Sequence, residues 1–423
     1  MLNLESTVES RTPTQALNAS RKRLNSLITH TLATKKVAAR LKRSQRALLL
    51  FLGLTVSLSL TAGPSLIPAP PQIAASSYLL MDANTGHIIV EYNGQQQLPP
   101  ASLTKMMTAY VASQELSKNN ISKDETVRIS IKAWKTGGSR MFLKEGSKVS
   151  VDKLLKGIII QSGNDASVAL AEHIAGSEDA FADYMNRHAS NLNMLGTHFR
   201  NATGLPASNH LTTAADLGLL AQAIINEFPD HYQLYSEKNF TFNGIKQPNR
   251  NLLLWRDSTV DGLKTGHTQE AGYCLVASAI KGDMRLISVV MGTRSIEARA
   301  AESQKLLTYG FRFYRTVVLQ QAHQEISKTK LWMGALDEVK LGVNETVQAT
   351  IPRGKKDFVL SSVTVDEEIK APIKAGDQLG MLTLSLDGST LAKLPLVALE
   401  DVEKGGLFKQ LLDYLILLVK SFL

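Results

Sequence analysis

Residues 99–112 read PPASLTKMMTAYVA, and the interpretation of the whole chain begins with them. Two prolines followed by a run of helix formers are typical of a helix start. Ser102 and Lys105 are spaced i, i+3, so they share one helix face and the Lys105 amine can reach the Ser102 hydroxyl. Because serine beside lysine is a known pairing of nucleophile and base, the stretch predicts a serine nucleophile.

The tetrapeptide alone is weak evidence, because the same spacing occurs at Ser150/Lys153, Ser278/Lys281 and Ser327/Lys330. We expect Ser150 to be the N-cap of an ordinary helix. Ser278 falls in a predicted strand, where positions i and i+3 point to opposite faces. Ser327 falls at the entry to a β-rich segment. The local context therefore favours Ser102.

Two further motifs follow in the chain. Ser162-Gly163-Asn164 lies between two predicted helices, in a turn that can project a hydroxyl and an amide toward one point. Lys264-Thr265-Gly266 opens a strand and offers a cation and a hydroxyl, while Gly266 would leave room for a substrate backbone at the strand edge. A second Lys-Thr-Gly at residues 135–137 has no strand behind it, so we assign it no role.

S-x-x-K, S-x-N about 60 residues on, and K-T-G about 100 beyond form the motif set of the penicillin-recognising serine enzymes. The surrounding segments QSGNDASVALAEHIAG, VDGLKTGHTQEAGYCLVASA and MRLISVVMGTR resemble the low-molecular-mass penicillin-binding proteins, serine-type D-alanyl-D-alanine carboxypeptidases of the peptidase S11 kind. The resemblance covers roughly residues 70–316. It implies a β-lactamase/transpeptidase-like α/β (α+β) domain with an antiparallel sheet and a helical cluster.

The resemblance also implies a reaction, namely removal of the terminal D-alanine from peptidoglycan pentapeptides through an acyl-enzyme at Ser102, with inhibition by β-lactams. Lys105 would be the general base. That role needs a neutral amine, hence a pKa lowered by burial and by a second cation, for which Lys264 is the candidate. Ser162 would relay protons and Asn164 would hold the substrate amide.

The residues that the resemblance implies for substrate binding are Lys264, Thr265, Gly266, His267, Arg250 and Arg294. Backbone N–H groups of Ser102 and His267 would form the oxyanion hole, and we expect the His267 ring itself to take no part. Lys264 and Thr265 would bind the terminal carboxylate, and the two arginines would assist.

Two segments depart from the family pattern. The loop WKTGGSRMFLKEG at residues 134–146 is shorter than the resemblance leads us to expect. Pro206 occupies a position where relatives often carry an acidic residue. Both departures bear on deacylation rate and substrate preference, and neither touches the nucleophile.

Composition and charge limit the other possibilities. With 423 residues, 44% hydrophobic and 20% charged, the chain is typical of a globular protein with two or three domains rather than a multi-span membrane protein. The net charge of +9 comes almost wholly from residues 1–46, which hold ten Lys or Arg against two acidic residues. No nucleic-acid partner is therefore predicted.

The basic leader at residues 1–46 precedes an uncharged apolar run at residues 47–63, ALLLFLGLTVSLSLTAG. This order is typical of a signal peptide, or of a retained N-terminal anchor. Both interpretations predict export to the periplasmic face of the bacterial inner membrane. Residues 64–77 are rich in Pro, Ser and Ala and read as a linker.

The order of predicted elements divides the exported part. A hairpin, a group of helices and further strands predict a catalytic domain over residues 78–316, and short alternating runs predict a small all-β domain over residues 317–402. Residues 403–423 predict an amphipathic helix with Lys409, Asp413 and Lys420 on one polar stripe. Such a helix suits the membrane interface, although a helix docked on its own protein is the alternative.

The remaining signals leave three competing functions. No metal motif such as H-E-x-x-H is present, no cofactor is predicted, and the single cysteine, Cys274, excludes an internal disulfide. A class A β-lactamase would need an E-x-x-L-N-like element, which does not occur between residues 195 and 228. A DD-endopeptidase and a non-catalytic penicillin-binding sensor or scaffold remain alternatives, and the sequence leaves the oligomeric state open.

Overall fold

The computed structural model of this protein describes residues 67–422. The predictions for the basic leader, for the apolar run at residues 47–63 and for the first linker residues lie outside the described residues. Within them, irregular chain leads from residue 67 into the first strand.

The strands of the first part of the chain include the predicted hairpins and lie between Ser77 and Thr293. They are β1 (Ser77–Asp82), β2 (Ile88–Tyr92), β3 (Thr126–Arg128), β4 (Lys148–Ser150), β5 (Asn239–Phe242), β6 (Ile245–Pro248), β7 (Val260–Thr268), β8 (Gly272–Lys281) and β9 (Met284–Thr293). Five of them form an antiparallel sheet in the order β2-β1-β9-β8-β7. Strand β7, which carries the Lys-Thr-Gly motif, is therefore at the sheet edge.

Helices cover both faces of this sheet. They are α1 (Thr104–Ser117), α2 (Ile131–Lys135), α3 (Val151–Lys156), α4 (Asn164–Ala175), α5 (Glu178–Asn191), α6 (Ala214–Glu227), α7 (Pro229–Tyr232), α8 (Leu253–Arg256) and α9 (Ile296–Phe313). Alternate residues of β1 point to opposite faces. Leu79 and Met81 lie against Gly218 of α6, whereas Leu80 lies against Gly310 of α9. Helix α1 packs in the cluster formed with α4, α5 and α6.

The helix ends follow capping chemistry, with one difference from prediction. Ser150, as predicted, caps α3, and its side chain accepts a hydrogen bond from Lys153 N. The residues from Ser177 to Leu195 predict one helix with Gly196 as its end, but the helix ends earlier, at Asn191. The reason is local, because Asn193 adopts a left-handed backbone conformation with φ 58° that a helix cannot continue through.

The second part of the chain is β-rich, as predicted. Its strands are β10 (Tyr314–Gln320), β11 (Ser327–Lys330), β12 (Glu338–Gly342), β13 (Val347–Pro352), β14 (Leu360–Val365), β15 (Gln378–Leu386) and β16 (Ser389–Ala398). One sheet has the order β11-β12-β16-β15-β14, and β10 pairs with β13. LWMGAL at residues 331–336 is one of the short runs that predict strands, but it makes only isolated bridges, from Trp332 to Lys370 and from Gly334 to Lys404.

The last helix is α10 (Leu407–Lys420), and two residues of its polar stripe, Lys409 and Asp413, contact the protein, whereas Lys420 is exposed. Asp413 is 7% exposed and accepts a hydrogen bond from Met333 N at 2.7 Å, and Lys409 pairs with Asp337. The exposed large apolar side chains are Leu407, Phe408, Leu411, Leu412, Leu415, Ile416, Leu418, Val419 and Phe422. None of the helices between residues 67 and 422 is both long and apolar enough to span a membrane.

Candidate active site

The predicted nucleophile lies in a short 3₁₀ turn, Ala101–Leu103, that leads into α1. Lys105 Nζ is 3.1 Å from Ser102 Oγ, and the same amine donates to the Thr203 carbonyl oxygen. A Cβ on Gly204 would lie 1.8 Å from the Ala101 carbonyl oxygen, so only glycine allows the loop to approach this turn. The nucleophile turn is thus contacted by the Lys105 amine, through Ser102 Oγ, and by the Gly204 backbone, through the Ala101 carbonyl oxygen.

Lys105 is 1% exposed, and its environment disfavours a charged amine. Burial lowers the Lys105 pKa to about 7, with a further lowering from the Arg250 guanidinium and an opposing effect from Asp165. Burial also places the Lys264 pKa well below its usual range, and the Lys105 charge adds to that lowering. Arg250 is thus a cation that lowers the Lys105 pKa, and the expected influence of Lys264 on Lys105 stays a prediction.

The Ser-x-Asn motif lies at the end of a π-helical turn, Gly157–Gln161. Ser162 adopts a left-handed backbone conformation with φ 66°, and its buried Oγ has no hydrogen-bond partner within residues 67–422. Asn164 begins α4 and donates from Nδ2 to the Gly137 carbonyl oxygen at 2.7 Å. A strained backbone that presents an unpaired buried hydroxyl is a feature of functional sites.

The Lys-Thr-Gly motif occupies the edge strand β7 beside the nucleophile turn. Lys264 and Thr265 are buried, at 3% and 5% exposure. A Cβ on Gly266 would lie 3.0 Å from the Pro100 carbonyl oxygen and 3.1 Å from Leu103 Cγ. Gly266 therefore brings the strand close to the nucleophile turn, and its expected role of leaving room for a substrate backbone stays a prediction.

The three arginines near the site occupy different positions. Arg250 lines the mouth of the cavity, and Arg299 lines its wall with a hydrogen bond from Nη1 to the Gly266 carbonyl oxygen at 3.1 Å. Burial lowers the Arg299 pKa to about 10. Arg294 is exposed and does not line the cavity. The structure thus brings Arg299, which the sequence did not single out, to the place expected for Arg294.

A cavity of about 800 Å³ joins these groups. Its polar lining includes Ser102, Ser139, Ser162, Asn164, Asn249, Arg250, Thr265, His267, Thr268, Tyr273 and Arg299. The exposed His267 ring lies on Tyr273, with 3.9 Å between ring centroids. Predicted residues from three distant segments therefore meet in one cleft. Lys105 and Lys264 are buried and, like the exposed Arg294, are not among its lining residues.

The loop that contains the second Lys-Thr-Gly, residues 135–137, borders the cavity, although this motif does not lie in a strand. The Gly137 carbonyl oxygen accepts a hydrogen bond from the Asn164 side-chain amide, and Gly138 and Ser139 line the cleft. Asp165 holds this loop by accepting hydrogen bonds from Met141 N at 2.9 Å and Leu143 N at 3.1 Å. The Gly-Gly-Ser composition was the one signal in the sequence that could have indicated close backbone approach.

A buried histidine, His210, forms a hydrogen bond with the first residue of α1, Thr104. His210 Nδ1 accepts from Arg200 N at 3.3 Å, which leaves Nε2 as the donor to Thr104 Oγ1 at 2.9 Å. Burial lowers the His210 pKa to about 4, so the ring is neutral at physiological pH. Sequence reasoning missed this residue, because histidine in a loop carries no local signal.

The arrangement has the chemistry of a serine hydrolase. A neutral amine in contact with an alcohol can remove its proton, and the cationic wall of the cleft suits a carboxylate. Within residues 67–422, no group of three or more His, Cys, Asp and Glu side chains is arranged to hold a metal ion.

Fold and site together define the class of penicillin-recognising serine hydrolases, and comparison with known proteins narrows it. The family model described as D-alanyl-D-alanine carboxypeptidase matches residues 65–295, and the C-terminal domain of penicillin-binding protein 5 matches residues 314–404. The chain belongs to the D-alanyl-D-alanine carboxypeptidase family and is a serine-type hydrolase.

Individual relatives agree over most of the length. The D-alanyl-D-alanine carboxypeptidase DacA of Escherichia coli (strain K12) is 46% identical over 83% of this chain and 89% of its own. The structure of penicillin-binding protein 5 from Haemophilus influenzae is 43% identical, with a TM-score of 0.76 over 80% of this chain and 100% of that one. The ampicillin-bound penicillin-binding protein D2 from Listeria monocytogenes is 30% identical, with a TM-score of 0.54 over 58% of this chain and 100% of that one.

Proposed function

We propose that this protein removes the terminal D-alanine from peptidoglycan stem peptides through an acyl-enzyme on Ser102, and that β-lactams acylate the same oxygen. The observation that carries the proposal is the 3.1 Å contact between Ser102 Oγ and an amine whose pKa is about 7. At neutral pH a large fraction of that amine is uncharged, which is the form that can act as a base. The ampicillin-bound relative supports the β-lactam part of the proposal.

The reaction divides into two transfers. In acylation Lys105 Nζ takes the Ser102 proton, Oγ bonds to the carbonyl carbon of the penultimate D-alanine, and the C–N bond breaks. The departing amine receives a proton by way of Lys105 and the Ser162 hydroxyl, whose buried Oγ has no hydrogen-bond partner in the described part of the chain. In deacylation a water oxygen bonds to the acyl carbon and the ester bond to Ser102 Oγ breaks. A proton of the water passes through the same groups to Oγ, which restores the free hydroxyl.

Substrate binding assigns a role to each remaining group. Thr265, Arg250 and Arg299 line the cleft and bind the terminal carboxylate, assisted by the Lys264 amine, which is buried next to Thr265 in β7. Asn164 holds the substrate amide. The N–H groups of Ser102 and His267 stabilise the oxyanion, a contribution of roughly 3 to 4 kcal/mol per donor in comparable sites. Arg299 replaces Arg294 in this assignment, because Arg294 does not line the cavity.

The decisive experiment measures D-alanine release from a pentapeptide and the mass of the protein after exposure to benzylpenicillin. We expect release and a long-lived adduct with the wild type, and neither with Ser102→Ala. Ser327→Ala is the matched control, because it removes the serine of another S-x-x-K spacing and leaves the cleft intact. An undiminished adduct on Ser102→Ala would overturn the assignment.

The same assay separates the alternatives. Rapid turnover of benzylpenicillin would indicate a β-lactamase, and an adduct without D-alanine release would indicate a sensor or scaffold. A DD-endopeptidase would prefer cross-linked dimers over the pentapeptide, so both substrates belong in the assay.

We propose further that the protein is exported and that α10 binds the periplasmic surface of the inner membrane. Lys409 and Asp413 hold the polar stripe of the helix against the β-rich part. This contact leaves the apolar side outward, with Phe408 at 83% and Leu411 at 59% exposure. An apolar helix face held outward by its own protein suits the boundary between headgroups and acyl chains.

Sedimentation with phospholipid vesicles tests this attachment. We expect the protein without its first 66 residues to sediment with vesicles, and Leu411→Gln with Leu415→Gln to remain in solution. Trp255→Gln, which changes an exposed apolar residue elsewhere, should sediment like the parent protein. Equal sedimentation of all three forms would exclude α10 as the membrane-binding element.

A further inference from the structure

A second cavity, of about 380 Å³, opens beside the catalytic cleft. The two cavities share Gly204, Leu205 and Thr268 as lining residues, so they form one continuous groove. The second cavity is lined by residues 204–211, by residues 99–101, and by Thr268 and Glu270 at the end of β7 and just after it. Nothing in the proposed reaction on D-Ala-D-Ala uses this extension.

The direction of a bound peptide follows from the edge strand. Its terminal carboxylate lies at Lys264 and Thr265 in the proposed function, and its chain pairs antiparallel with the free edge of β7. Thr265 and Thr268 are separated by about 10 Å, at roughly 3.3 Å per residue of extended chain. The two D-alanines span most of that distance, so the preceding residue lies opposite Thr268 at the entrance to the second cavity.

An unpaired acidic side chain stands at this entrance. Glu270 is exposed and lines the second cavity. None of the hydrogen bonds or ion pairs found within residues 67–422 involves its carboxylate, although the catalytic cleft beside it is lined by Arg250 and Arg299. The groove is therefore electrostatically divided, with cations where the peptide ends and an anion where its preceding side chain enters.

We propose that the second cavity binds the side chain of the residue that precedes D-Ala-D-Ala, and that Glu270 selects stem peptides in which this side chain carries an amino group. The inference rests on the proposed function. Leu205, 38% exposed, contributes an apolar wall for the methylene part of such a side chain. Glu270 is then a specificity-determining residue that takes no part in bond breaking.

The test compares two peptides that differ only in charge at this position, Nα-acetyl-L-Lys-D-Ala-D-Ala and Nα,Nε-diacetyl-L-Lys-D-Ala-D-Ala. We expect the wild type to release D-alanine from the free-amine peptide with a kcat/KM about fivefold higher, as a partly exposed ion pair would give, and the preference to shrink with added salt. Glu270→Gln should abolish the preference, and Glu270→Lys should reverse it.

The control variant is Glu145→Gln, which removes the same charge from an exposed glutamate that lines neither cavity. It should keep the wild-type preference. Equal ratios of the two kcat/KM values in wild type and Glu270→Gln would overturn the inference and leave the carboxypeptidase proposal intact. Release from neither peptide by the wild type would instead contradict the proposed function.

Discussion

At the scale of single residues, the reactivity of Ser102 depends on the charge of one buried amine. Lys105 has three influences on its pKa, namely burial and the Arg250 charge, which lower it, and the Asp165 charge, which raises it. The neutral amine predominates above pH 7 and the ammonium below. Acylation should therefore become faster as pH rises through about 7, because only the neutral form can accept the Ser102 proton.

The charge of Arg250 can be tested through this pH profile. Arg250→Gln removes a positive charge near Lys105, so the Lys105 pKa rises and the acidic limb of the acylation rate should move to higher pH. At pH 7 the rate should fall by roughly threefold or more. Stopped-flow acylation by a chromogenic β-lactam over a range of pH measures the midpoint.

Arg294→Gln is the matched control, because it removes the same charge from an exposed arginine outside the cavity. The acidic limb of its pH profile for acylation should coincide with that of the wild type. A shift with Arg294→Gln and none with Arg250→Gln would mean that the wrong arginine has been assigned to Lys105.

At the scale of elements, the nucleophile turn is positioned by two close backbone approaches. The loop at Gly204 lies against Ala101, and β7 lies against Pro100 and Leu103 through Gly266. The approach at Gly204 requires the absence of a Cβ, whereas a Cβ on Gly266 would lie 3.0 Å from the Pro100 carbonyl oxygen and need a small shift of its neighbours. The turn, the loop and the edge strand are thus fixed relative to one another by packing rather than by a hydrogen-bonded ladder.

Gly204→Ala tests the first approach. The substitution places a methyl group 1.8 Å from the Ala101 carbonyl oxygen, at a residue with φ 81°. We expect a loss of about 2 kcal/mol or more in the free energy of unfolding and a strong decrease in penicillin labelling of Ser102. Denaturant titration and labelling with fluorescent penicillin measure the two effects.

Gly176→Ala provides the comparison, since Gly176 has φ 78° at the end of α4 and an added Cβ there would meet nothing within 4 Å. Gly176→Ala should lower the free energy of unfolding by about 1 kcal/mol through its backbone conformation, and penicillin should label Ser102 as in the wild type. Equal labelling of both variants would show that the contact with Ala101 is not what positions the nucleophile.

At the scale of the whole molecule, a buried carboxylate joins the catalytic sheet to the β-rich part. Asp82, the last residue of β1, accepts hydrogen bonds from Thr316 of β10 and, at 2.8 Å, from Thr350 of β13. Its other oxygen accepts from Asn84 N at 2.8 Å. A carboxylate that is 0% exposed needs these donors, so the two parts of the chain are tied through its charge.

Thr350→Val tests this junction. It removes one hydroxyl donor from Asp82 and should lower the free energy of unfolding by about 1 to 2 kcal/mol, seen as a lower Tm, with penicillin labelling retained. Thr241→Val, at an exposed position of β5, should change stability by less than about 0.5 kcal/mol. If the two variants melt alike, the Asp82 junction does not contribute to stability.

Much of this architecture was predictable because its signals are local. Alternation and turn residues indicated β1, β2, β8 and β9, and proline and capping residues indicated the helix starts. The three motifs identified Ser102, Lys105, Ser162, Asn164 and Lys264 by their order and spacing along the chain. The end of α5 was misjudged, because the left-handed backbone of Asn193 decides it and Gly196 does not.

Other properties depended on the tertiary structure. The sequence could not distinguish Arg299 from Arg294, assign the effect on Lys105 to Arg250, or place Glu270 beside a second cavity. The local pattern determines which residue types occur and which helix or strand carries them. Burial, pKa and cavity shape arise from groups that are distant in sequence and close in space, so only the packed molecule decided them.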